Sequence, residues 1–173
     1  GNIIHNTLEH LYKPYENKYL SLMIIEGLER SFEEVLLSKF KEVFKEGSIK
    51  KGKNLLAFES AKRSISNFLR LEKQLITEGD AVRILYLEKR FEQELVDSRL
   101  PFTVRIAGII DRIEERNGSI RIVDYKTGKV EKGNLTLNNW QDFLSNEKKD
   151  KIIQLLSYAF MYNKHAGDMP MET

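Results

Sequence analysis

The sequence predicts an α+β fold, with a helical N-terminal half and a mixed sheet built on a three-strand antiparallel meander flanked by helices. Three observations carry this. Apolar residues recur at helical spacing as far as Thr77, and the period becomes strand-like from Ala81. Asn117-Gly118 is the dipeptide with the strongest short-range hairpin signal, and it lies between two alternating runs. A second helical pattern, Lys148 to Lys164, follows the strands.

The first helix is expected over Asn2 to Tyr12, with Ile4, Leu8 and Leu11 on one side, Asn2 as cap and Pro14 as stop. His5 and Glu9 lie one turn apart on a common face. An ordinary half-buried histidine is the plain reading of His5 from pattern alone. Lys18 to Lys45 reads as one long helix or two shorter ones, with a stripe running from Leu20 and Met23 to Phe40 and Phe44. A lysine-rich loop over Glu46 to Lys53 leads to an amphipathic helix over Leu55 to Thr77, closed by Glu78-Gly79-Asp80.

The strands come next. Val82 to Val96 is a first strand, or a strand bent near Glu88, and Ser98 to Pro101 is a turn. Phe102 to Arg116 and Ser119 to Lys126 form the hairpin. A two-residue turn sets Arg116 opposite Ser119, Ile113 opposite Ile122 and Asp111 opposite Asp124, with Lys126 on the same face. That face also carries Ala107, Ile109, Ile113, Ile120 and Ile122, so it is expected to pack against something. Facing carboxylates in a buried ladder cost stability, and a hard divalent cation between them resolves the conflict. An exposed ribbon, whose Asp pair meets only solvent and Lys126, fits the pattern as well. A short helical piece around Asn138 to Leu144 precedes the last helix, whose apolar residues wrap most of its circumference. Gln154 and Tyr158 share one of its faces.

Composition sets bounds. The 173 residues suffice for one domain with a core, taken here as 1–173, helical over about 1–80 and sheet-based over about 81–165. The abrupt start on a helix points to a piece of a longer protein. A net charge of +2 excludes a generally basic coat but not a local basic channel. The absence of cysteine rules out disulfides, thiolate zinc sites and an iron–sulfur cluster within this chain. No apolar run reaches membrane-span length and no signal peptide is visible, so no membrane partner and a cytoplasmic location are the default expectations.

Together, GNIIHNTLE, GIIDRI, IVDYKTG and QLLSY resemble the PD-(D/E)XK nuclease superfamily, in particular the nuclease domains of RecB and AddB. The motifs run in the family's order from His5 to Tyr158. The resemblance implies a restriction-endonuclease-like fold and a Mg²⁺- or Mn²⁺-dependent deoxyribonuclease, exonucleolytic, acting in DNA repair or recombination. Its partners would be DNA and helicase-like regions of the parent protein or of another subunit. Asp111, Asp124 and Lys126 take the catalytic positions. His5, Asp111, Asp124 and the carbonyl of Tyr125 take the metal positions, and Gln154 and Tyr158 hold substrate. Glu88 and Glu9 are outer partners of those ligands. Between carboxylates an ammonium is expected to stay charged, which gives Lys126 an orienting and electrostatic role. Ile110 replaces the family's usual proline, and the strand expected after the Gln154 helix is short or absent. A DNA-binding or scaffolding module that keeps the fold without cleaving is the alternative.

Overall fold

The computed structural model describes residues 2–44, 51–128, 136, 150–166 and 171–172. Helix α1, Asn2–Tyr12, begins with Asn2 already helical and passes into a 3₁₀ turn, Lys13–Tyr15, that contains Pro14. Proline has no N–H to donate, so the α-helical ladder ends there. Helix α2, Leu22–Val43, starts later than the periodicity implies, because Ser21 caps it by accepting from the Ile24 amide at 3.3 Å. Residues 17–20 instead run beside the first strand, where the Asn17 and Leu20 amides donate to the Ile84 and Val82 carbonyls. Leu20 is therefore buried outside the helix, and Met23 is 76% exposed rather than part of the stripe. Helix α3, Gly52–Thr77, is followed by Gly79 at φ +109°, a conformation that favours glycine.

Strands β1, Val82–Leu95, β2, Val104–Arg116, and β3, Ser119–Val123, form the antiparallel meander. Both turn residues, Asn117 and Gly118, have positive φ, as a type I′ hairpin turn requires. Arg116 pairs with Ser119, Ile113 with Ile122 and Arg112 with Val123, where the ladder ends. Asp124, Tyr125 and Lys126 leave the strand one residue later, so β3 is shorter than the sequence pattern indicates. Helix α4, Asp150–Ala166, has Asp150 in its first turn and Lys164 and His165 in its last, charges that suit the helix dipole. Strand β4, Met171–Glu172, pairs parallel to β3, which makes the sheet mixed and supplies a very short strand after α4. The helical piece expected around Asn138 to Leu144, residues 46–50 of the lysine-rich loop and the first two residues expected of the last helix lie outside the described residues.

Successive residues of β2 divide the molecule into layers. Arg112, Glu114 and Arg116 point to α3, where Glu72 meets them. Ile113 points the other way and joins Ile120, Ile122, Tyr158, Met161 and Tyr162 in a core under α4. A larger core joins α1, α2 and α3 to Val82, Ile84 and Leu87. The sheet is thus sandwiched between helical layers, an α+β arrangement of the restriction-endonuclease-like kind. Two expectations of burial do not hold. Ala107 and Ile109 are exposed, Ile109 by 49%, because the outer ends of β1 and β2 project beyond β3. Helix α4 is not apolar all round in its packing, since Ile153 and Leu156 face outward.

Candidate active site

The ladder that joins β1 to β2 brings together a pair of carboxylates that its sequence does not advertise. The register shifts between Ile84 and Tyr86, after which Leu87 pairs with Arg112 and Lys89 with Ile110. Glu88 therefore lies opposite Asp111. Its φ is +44°, a left-handed conformation that costs a non-glycine residue about 1–2 kcal/mol. Glu88 Oε1 is buried and has no hydrogen-bond partner.

His5, from α1, completes the cluster. Its Nδ1 is 3.7 Å from Glu88 Oε1 and 3.6 Å from Asp111 Oδ1, while its Nε2 lies 2.9 Å from the Tyr125 carbonyl oxygen. A carbonyl can only accept, so Nε2 holds a proton and Nδ1 is the ring nitrogen turned toward the carboxylates. Metal-binding histidines are commonly fixed in this way, with the far nitrogen donating to a carbonyl. The ligand atoms of His5, Glu88 and Asp111 all lie within 4.8 Å of one another.

Tyr125 orders the cluster through both its backbone N–H and its backbone carbonyl. Its amide donates to Asp111 Oδ2 at 2.7 Å, and its carbonyl holds His5. Its ring packs edge-on against His5 and Phe68.

The third carboxylate stands beside this group. Asp124 Oδ2 is 2.5 Å from Lys126 Nζ, which donates to Gln154 Oε1 at 3.1 Å. Gln154 Nε2 in turn donates to the Tyr158 hydroxyl at 2.7 Å. Asp124, Lys126, Gln154 and Tyr158 thus form one connected chain from the loop after β3 to α4. Gly108 makes the approach of α4 possible: a Cβ there would stand 3.1 Å from Tyr158 Cε1.

The electrostatics are those of crowded carboxylates. Burial raises the Asp111 carboxyl above its ordinary range; the Tyr125 amide and His5 oppose the rise, and Asp124 adds to it. Burial, then Asp111, raises Glu88, with smaller contributions from Glu9 and Asp124. Glu9 is therefore within electrostatic range. Burial also raises the Tyr158 phenol.

A hard divalent ion fits this donor set, because two carboxylates and an imidazole converge and one carboxylate oxygen is buried without a partner. The family's sequence model matches residues 1–172 and is described as the PD-(D/E)XK nuclease superfamily. The chain belongs to that superfamily. Its members are typically metal-dependent nucleases that use divalent ions, and DNA is the substrate the superfamily implies. The searches of curated proteins and of solved structures found no match. Among the described residues no helix is long and apolar enough to cross a membrane.

Sequence reasoning missed a second charged group altogether. Arg112, Glu114 and Arg116 are buried beneath the site; both arginines pair with Glu72 of α3 and with Glu114, and Arg116 also reaches Asp80 at 2.8 Å. Their signal was the run of charges at alternate positions of β2, together with a glutamate in the inward face of α3. Arg112 stacks over the Tyr12 and Phe68 rings.

Proposed function

We propose that this chain is a Mg²⁺- or Mn²⁺-dependent deoxyribonuclease domain of the RecB/AddB kind, working on DNA during repair or recombination within a larger assembly that contains helicase-like regions. The observation that carries the reading is the convergence of His5, Glu88 and Asp111, with Asp124 and Lys126 alongside, in a chain of this superfamily.

His5 and Asp111 would hold the ion with Asp124 and the Tyr125 carbonyl, and Glu88 lies close enough to His5 and Asp111 to join them. When bound, a divalent ion supplies charge stabilisation to the phosphodiester oxygens and lowers the pKa of a water. Lys126, held between Asp124 and Gln154, orients the attacking water and offsets charge on the phosphate as the new P–O bond forms and the old ester bond breaks. Gln154 keeps Lys126 in line with its carbonyl oxygen and ties it to Tyr158 with its amide. Gln154 also lines the cleft where the substrate backbone would lie. Glu9 adds negative charge on the α1 side and strengthens the demand for a cation. Exonucleolytic action, and the cellular process, rest on the resemblance of the motifs to RecB and AddB.

Incubation with linear and closed circular DNA, with and without Mg²⁺ or Mn²⁺, tests this. The expected result is metal-dependent loss of linear DNA, sparing of closed circles, and no cleavage by Asp111→Ala or Lys126→Ala. Absence of metal-dependent cleavage would favour the scaffolding module instead, and cleavage unchanged in both variants would remove the assigned site.

A further inference from the structure

Val123, Asp124 and Lys126 form a ridge that two cavities share. On the α4 side is a cleft of about 390 Å³ whose cations are Arg121, Lys126 and Lys151, with Gln154 beside them. On the other side a slot of about 320 Å³ runs between α1, α3 and residues 123–127. The slot has a different chemistry. Ile4 and Phe68 are half-buried on its walls, backed by the fully buried Leu8 and Ile65, and Ser64 and Thr127 stand at its exposed rim.

The slot adjoins the site directly. Ile4 precedes His5, and the Phe68 ring lies edge-on to Tyr125 with 5.4 Å between centroids. A cleft bearing three cations suits phosphates, whereas an apolar slot with an aromatic wall and a hydroxyl rim suits a flat, weakly polar ring. A nucleotide has these two characters at neighbouring positions. The ridge that separates the cavities carries two residues of the candidate site, Asp124 and Lys126.

We propose that the slot receives one unstacked nucleobase of a single strand whose phosphates cross the basic cleft, next to the bond to be cut. The inference rests on the nuclease reading above and adds a base-binding subsite on the α1–α3 side of the candidate centre. A paired base would have to be flipped out of its stack to enter. Single-strand binders combine charged grooves with aromatic platforms in the same way.

The test needs no cleavage. Wild-type protein in metal-free buffer with EDTA is titrated into single-stranded 12-mers carrying 2-aminopurine at each position in turn, and into 12-mers with an abasic site at each position. One position is expected to show a distinct fluorescence change, and an abasic site there should weaken binding about tenfold. Ser64→Trp, which fills the slot from an exposed helical position, should abolish both effects while binding Mn²⁺ as the wild type does. A uniform response along the strand, no binding, or an unchanged profile in Ser64→Trp would overturn the slot. Because the assay omits metal, it stays readable whatever the cleavage experiment gives, and failure of metal-dependent cleavage would overturn the nuclease reading separately.

Discussion

Glu88 holds two costs at one position: a left-handed backbone inside a strand, and a buried carboxylate oxygen with no partner opposite Asp111. Strain of this kind persists where surrounding structure enforces it, and it concentrates at functional sites. Replacing Glu88 with glycine removes both costs together. Glu88→Gly is therefore expected to raise the stability of the metal-free protein by about 1 kcal/mol in denaturant titration, and to weaken Mn²⁺ binding. A loss of stability would show that the carboxylate has a structural partner. His5 and Tyr125 belong to the same scale. The backbone of Tyr125 orders both the imidazole and Asp111, the first across 120 residues of sequence that no local pattern records.

The elements are held in place by close approach and by buried charge. Strand β2 meets α4 at Gly108, where a Cβ would crowd the Tyr158 ring at 3.1 Å. Gly108→Val should destabilise the protein by about 1–3 kcal/mol through overpacking, and it should disturb the Gln154–Tyr158 hydrogen bond; thermal melting with the Tyr158 signal in NMR reads both. On the opposite face, Glu72 anchors α3 to Arg112 and Arg116. Removing one member of a buried ionic group leaves the others unpaired, so Glu72→Ala is expected to cost about 3–5 kcal/mol. Burial alone would raise the Glu114 carboxyl in this network, but Arg112 and then Arg116 overcome that and hold it below its usual range. Its contribution to stability is present above the unfolded carboxylate range and is lost as pH falls through its lower folded value.

At the scale of the molecule, the sequence was most legible where the period was regular. The change from helical to strand spacing near Ala81, the Asn117-Gly118 turn and the hairpin register follow from backbone geometry, so local pattern reached them. The placement of Glu88 against Asp111 was not legible, because it depends on a register shift before Tyr86 and on a positive φ that no residue type announces. Alternation also misassigned Ala107 and Ile109, since it cannot show where a neighbouring strand stops. The buried arginines of β2 looked like solvent-facing charges until Glu72 of α3 was set against them. His5 and the Gln154–Tyr158 pair acquired meaning through family resemblance, and the structure adds the distance of His5 from Asp111 and the link from Tyr158 through Gln154 to Lys126.

The proposed activity requires a divalent ion where α1, β1, β2 and the segment after β3 converge. Isothermal titration of Mn²⁺ into wild type, His5→Ala and Asp111→Asn, at neutral pH and again in mild acid, tests it most directly. Protons compete with metal for the same carboxylates, and those of Asp111 and Glu88 are raised by burial. Affinity should therefore begin to fall, as pH is lowered, at a higher pH than for ordinary exposed carboxylates. The expected result is saturable binding by the wild type at neutral pH, at least tenfold weaker binding by both variants, and weakening of the wild type in acid. A wild type that binds no Mn²⁺, or variants that bind it equally well, would contradict the proposed metal site.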